Sequence, residues 1–109
     1  MREIRAILGD LGMEVISMRE AGFTGEIVED GVTFAENAAI KARAVWEKTG
    51  GIVMADDSGL EIDYLNGEPG VYSARYLGDT PYEVKNRTLI GRLDGVPDEK
   101  RTARFVCVI

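Results

Sequence analysis

Residues 33–59 constrain the fold of this chain more than any other stretch. Thr33-Phe-Ala-Glu36 is a capping box: the threonine hydroxyl receives the N3 amide while Glu36 reaches back to the cap amide. It opens a helix that the apolar periodicity carries to about Thr49, where Gly50-Gly51 stops it. Ile52 to Ala55 is then a short apolar, β-favouring run that ends directly in Asp56-Asp57-Ser58-Gly59. A helix handing to a strand in this way predicts an α/β unit, and the ends of such strands are where open α/β sheets place ligands. If strand geometry persists, Asp56 and Asp57 point to opposite faces, so only one of them need face a cleft. A carboxylate there can hold Mg²⁺ or orient an attacking water. Asp, Ser and Gly are also ordinary turn formers after any strand, and the octapeptide Val53 to Leu60 alone leaves both readings open.

The flanking sequence extends the α/β pattern. Arg2 to Leu11 reads as a helix with Ile4, Ile7, Leu8 and Leu11 on one face, closed by Gly12, and Met13 to Ser17 as a short strand. Met1 enters that helix with almost no lead-in. Arg19 to Gly31 is a polar, glycine-punctuated loop carrying Glu26, Glu29 and Asp30. Leu60 to Tyr64 is expected to pair with the apolar run before it. Asn66-Gly67-Glu68-Pro69-Gly70 is a turn cluster, and Tyr72 to Tyr76 a short helical piece. Pro81 suits a helix N1 position, with Thr80 as its cap and the helix reaching about Leu93. Arg101 to Ile109 reads as a strand, cut in mid-run.

Composition bounds the function. At 109 residues the chain is one domain at most, and its 45% hydrophobic and 29% charged content is that of a soluble globular protein. A formal charge of −6 disfavours a broad nucleic-acid surface but leaves room for one nucleotide held through a metal and a few lysines. No apolar run approaches a membrane span. The single cysteine, Cys107, reads as a buried strand residue and fits a reducing cytosol. The absence of histidine removes Ser-His-Asp and Cys-His catalysis.

Lys41 is the anomaly on the central helix. Phe34, Ala38 and Val45 define its apolar stripe, Lys41 falls in the middle, and Asn37 lies one turn before it at the edge. A buried ammonium is costly without an anionic partner, although a lysine can also bury its stem and send its head to water. The acidic loop before the helix and the Asp-Asp-Ser turn after it offer partners. Glu29 and Asp30 equally suit the helix dipole. Taken together, Glu29, Lys41, Asp57 and Ser58 are a parts list for phosphoanhydride chemistry: metal ligand, cation, water-orienting carboxylate and hydroxyl.

Four segments carry a resemblance. They are Glu29-Asp-Gly-Val-Thr-Phe-Ala-Glu-Asn-Ala-Ala-Ile-Lys-Ala-Arg43, Ala55-Asp-Asp-Ser-Gly-Leu-Glu61, Gly67-Glu-Pro-Gly-Val-Tyr-Ser-Ala-Arg-Tyr76 and Val96-Pro-Asp-Glu-Lys-Arg-Thr-Ala-Arg-Phe105. In order and without large gaps they resemble the inosine triphosphate pyrophosphatase family, most closely its bacterial XTP/dITP branch. The resemblance implies an α/β fold, an elongated mixed sheet flanked by helices, usually in a homodimer. It implies Mg²⁺-dependent hydrolysis of ITP, dITP and XTP to monophosphate and pyrophosphate, in the cytoplasm. It gives Asp57 the role of general base at the metal, Glu29 that of a metal-associated glutamate, and Ser58 and Lys41 that of substrate contacts. Asn37 joins them on the substrate-binding helix in a supporting role, and Tyr72 to Tyr76 would lie near the dimer contact.

The chain departs from that pattern at both ends. Residues 1–109 are expected to be a single partial domain that lacks the first strand, its Thr-Gly-Asn-x-x-Lys phosphate loop, and the C-terminal half. That half carries Phe-Gly-Tyr-Asp and Ser-His-Arg segments in the family. A second hypothesis follows from this: a catalytically silent truncated fragment acting, if at all, through protein association across exposed core surface. A third, Asp56-Asp57 as a phosphatase nucleophile site, is disfavoured by the adjacent aspartates and the missing upstream strand.

Overall fold

The computed structural model describes residues 2–109, so the entry of Met1 into the first helix lies outside the described residues. Helix α1 (Arg2–Leu8) tightens into a 3-10 turn at Gly9–Leu11, and Gly12 ends it in the left-handed region at φ 71°. The expected apolar stripe of α1 finds no core: Ile7 is 73% exposed and the helix buries no residue. Met13 to Ser17, expected as a strand, runs without ladder partners.

Helix α2 (Phe34–Thr49) begins and ends where the sequence signals place it. Thr33 Oγ1 accepts the Glu36 amide at 3.1 Å. Glu36 Oε2 accepts from Val32 N at 2.8 Å, one residue before the cap amide expected for it. Gly50, at φ 65°, donates its amide to Trp46 O and turns the chain out. Phe34 and Ala38 are buried on the face that meets the sheet.

The expected strand at Ile52 to Ala55 has no ladder partner, and Ile52 is 91% exposed. The ladder starts at Asp57, the second of the two aspartates. Strand β1 (Asp57–Ile62) pairs antiparallel with β2 (Ala103–Val108), Asp57 opposite Val108 and Ile62 opposite Ala103. In place of the mixed sheet expected, the described residues form one two-stranded antiparallel sheet. Strand propensity alone does not make a strand, because the backbone needs a neighbour at about 4.8 Å to pair with. The second edge of β1 is covered by the turn cluster: Ile62 N donates to Glu68 O, and Glu61 bridges Pro69.

A 3-10 segment, Gly70–Arg75, follows and fulfils the short helical piece expected there. Helix α3 (Tyr82–Gly91) then starts one residue after Pro81. Thr80 does not cap it; its hydroxyl donates to Leu77 O instead. Ile62, Leu65, Leu89, Leu93 and Val96 form the core under α3. On β2, Val106 and Val108 are half-buried while Phe105 and Cys107 are exposed, so Cys107 is a surface thiol rather than the core residue expected. The alternation explains it: Cys107 faces away from α2. Among the described residues no helix is long and apolar enough to cross a membrane.

Candidate active site

Three of the five candidate residues converge where α2 crosses the start of β1. Lys41 Nζ lies 3.2 Å from Glu29 Oε1 and 3.6 Å from Asp57 Oδ1. The loop before α2 supplies Glu29, the middle of the helix supplies Lys41, and the first residue of β1 supplies Asp57. The lysine stem follows the apolar stripe toward the sheet, as its position between Ala38 and Val45 requires, and its head meets two carboxylates instead of escaping to water.

The trio carries one net negative charge. Asp57 is its most enclosed member, with a side chain 13% exposed. Its Oδ2 is buried and has no hydrogen-bond partner. A buried carboxylate oxygen left unpaired is costly, so this atom is where a cation or a donor-bearing ligand gains most by binding. Among the described residues no three carboxylate or thiol groups converge into a preformed metal cage. Mg²⁺ does not require one, since it is commonly held by one or two carboxylates with water and substrate phosphates completing its shell. Glu29 and Asp57 fit that donor set. Lys41 occupies the space between them, which also places its ammonium beside any anion that a metal there would bring.

Asn37 sits below the trio and is only 1% exposed. Its Oδ1 accepts from Gly31 N at 2.8 Å and its Nδ2 donates to Gly31 O at 3.4 Å. Both polar ends are thus engaged on the loop that carries Glu29, two residues away. The close fit leaves no space at Gly31, where a Cβ would stand 2.7 Å from Asn37 Oδ1 and from Glu36 Cβ. Placed this way, Asn37 holds the loop that carries Glu29.

Ser58 is not brought to the trio. Strand alternation turns it to the face opposite Asp57, and its hydroxyl donates to Asp56 Oδ2 at 3.0 Å. The two aspartates do point opposite ways, as expected. They do so at the start of a ladder, Asp56 just before it and Asp57 as its first residue, rather than past the end of a strand.

Two residues near the site gave little warning in the sequence. Gly59 is a glycine inside a strand, a pattern that marks close backbone approach. Ser73, in the turn-rich segment, accepts from Leu60 N at 2.9 Å and donates to Gly70 O at 2.6 Å. No local signal pairs it with a residue thirteen positions earlier.

Comparison with known proteins finds similarity along the whole chain. The Ham1 family model matches residues 1–109. A dITP/XTP pyrophosphatase of Bacillus licheniformis is 50% identical over 110 residues, covering 100% of this chain and 56% of that protein. One from Vibrio parahaemolyticus is 47% identical over 110 residues, covering 100% of this chain and 54% of that protein. A solved structure of a HAM1 protein from Coxiella burnetii superposes with a TM-score of 0.90 at 40% identity, over 98% of this chain and 54% of that one. The Staphylococcus aureus Ham1 protein gives 0.86 at 39% identity, over 97% and 54%. The chain spans about half the length of the relatives it matches.

Proposed function

The chain belongs to the Ham1 family, and on that premise we propose that it serves the hydrolysis of non-canonical purine nucleoside triphosphates, ITP, dITP and XTP, to monophosphate and pyrophosphate. The observation that carries the reading is the unpartnered, buried Asp57 Oδ2 beside the Lys41 ammonium and Glu29. An anionic substrate that brings its own cation suits such a site better than a neutral one does.

In this reading Asp57 accepts the proton of a water whose oxygen attacks the α-phosphorus, and the bond from that phosphorus to the bridging oxygen of pyrophosphate breaks. Lys41 turns its ammonium from the carboxylates to the phosphate oxygens as negative charge gathers there. Glu29 and Asp57 would hold Mg²⁺, which when bound supplies charge neutralisation for the phosphates. Asn37 keeps Glu29 in range through Gly31. Ser58, exposed at the strand entry, is free to exchange Asp56 for a substrate oxygen. Residues 1–109 act as one partial domain of the family fold, in the cytoplasm, and Tyr72 to Tyr76 border a homodimer contact.

A second reading has an observation of its own. Ile52 is 91% and Phe105 87% exposed, more apolar surface than an isolated small protein usually leaves open. On that basis the chain would be catalytically silent and act through protein association.

Pyrophosphate release from dITP, XTP and GTP, with and without Mg²⁺, separates the two. The enzymatic reading expects Mg²⁺-dependent turnover that Asp57→Asn lowers by about 10²–10⁴-fold, the usual contribution of a general base. Folded protein that binds these nucleotides without turnover would overturn it in favour of the silent reading.

A further inference from the structure

We propose that Ser73 is a positioning residue for this site, a role that rests on the reading of Glu29, Lys41 and Asp57 as the reacting group. Asp57 and Gly59 lie on the same face of β1, the one that meets α2. At Gly59 a side chain would collide with three neighbours: its Cβ would stand 2.5 Å from Gly70 O, 2.7 Å from Ser73 Oγ and 2.8 Å from Phe34 Cε1. Phe34 therefore rests directly on the strand backbone, and it lies two turns before Lys41 on the same face of α2. The helix-to-strand spacing that lets Lys41 reach Asp57 is set at this contact.

Ser73 closes the contact from the second edge. Its hydroxyl accepts the Leu60 amide, which the pairing with β2 leaves free on this side, and donates to Gly70 O. One hydroxyl thus joins the 3-10 segment Gly70–Arg75 to the strand, three residues from Asp57. From the far side, Lys85 of α3 donates to Ala74 O at 3.2 Å and holds the same segment. Removing the Ser73 hydroxyl frees both the strand edge and the carbonyl that abuts Gly59. Asp57 then loses its fixed distance from Lys41 although neither residue has changed.

The test compares Ser73→Ala with Thr88→Val, which removes a hydroxyl of α3 that bonds only its own helix at Val84 O. Mg²⁺ affinity is measured by calorimetry, and the ¹³C signal of the Lys41 ε-carbon reports the site without metal. Core methyl signals of Leu89 and Leu93 verify that each variant is folded. Ser73→Cys, similar in volume and a weaker hydrogen-bonding group, replaces Ser73→Ala should that variant not fold, with the same expected direction. We expect Ser73→Ala to shift the Lys41 signal and to weaken Mg²⁺ binding about tenfold or more, as loss of a supporting contact commonly does. Thr88→Val should change neither. An unmoved Lys41 signal and unchanged affinity in Ser73→Ala, or equal effects in Thr88→Val, overturn the proposal. If the unaltered chain binds no Mg²⁺, the metal-dependent reading fails. The Lys41 signal alone then decides the positioning role: a shift confined to the Ser73 variant sustains it, and no shift ends it.

Discussion

At the scale of single residues, charge out of place is the legible signal. Lys41 is readable because an ammonium in an apolar stripe demands a partner, and the structure supplies two. Asn37 is less readable. Its helix position shows that it is near the site, but its partners are the two backbone groups of Gly31, which no side-chain pattern reveals. Ser58, next to Asp57 in sequence, lies on the other face of the strand and bonds Asp56 instead. The burial of Asn37 makes its replacement expensive. Asn37→Ala strips Gly31 N of its acceptor in a part-buried setting, and a donor left unpaired costs about 1–3 kcal/mol. Urea unfolding should therefore show a lower midpoint with an unchanged slope. A midpoint equal to that of the unaltered chain would mean that water satisfies Gly31 and that Asn37 does not hold the Glu29 loop.

At the scale of elements, local chemistry predicts helices better than strands. The capping box and Gly50-Gly51 delimit α2 because both signals act within one turn of backbone. Ile52 to Ala55 has the composition of a strand, yet the ladder forms at Asp57–Ile62, because pairing depends on where the distant strand β2 arrives. Asp63, just after β1, fixes that arrival. Its carboxylate accepts from Thr102 Oγ1 and from Arg104 Nη2, each at 2.6 Å, and its amide donates to Thr102 O. The Thr102 hydrogen bond first, then the Arg104 hydrogen bond, hold the Asp63 carboxyl below its ordinary value. A carboxyl whose folded value is lowered binds its proton less readily in the folded state. Its contribution is therefore complete above the unfolded value, near pH 4, and is lost as pH falls through and below it. Melting temperatures of the chain and of Asp63→Asn should differ by a constant amount above about pH 5 and converge below about pH 4. Glu20, lowered by its Arg5 hydrogen bond, titrates in the same window but is common to both proteins and cancels. A gap that persists unchanged at low pH would mean the Asp63 carboxylate charge contributes nothing.

At the scale of the whole molecule, a combination of helices with a small sheet was legible, the elongated form came only with the family resemblance, and neither composition nor periodicity shows why the chain is long. The radius of gyration is 17.0 Å, against about 13 Å for a compact domain of this length, with extents of 51 × 30 × 24 Å. The reason lies in how burial is distributed. The core of Ile62, Leu65, Leu89, Leu93 and Val96 packs under α3, and α1 contributes nothing to it. Helix α1 is tied to its surroundings through Arg5, whose Nε donates to Val15 O and whose Nη2 meets Glu20 Oε1 at 2.6 Å, both exposed contacts. Seven helical residues without a buried face are too few to stand alone in water, because nucleation is costly and propagation adds little over two turns. Stability should therefore fall into two tiers, a low one for α1 and a high one for the core under α3. In native-state hydrogen exchange, the amides of residues 5–8 should open at free energies close to zero. Those of α3 around Leu89, packed on the core, should exchange only with global unfolding. Added salt should speed exchange in α1 further by screening Arg5 from Glu20, and leave α3 unchanged. Uniform protection across both helices would mean that the exposed Arg5 contacts join α1 to the core as one cooperative unit, and that the elongated form unfolds in a single step.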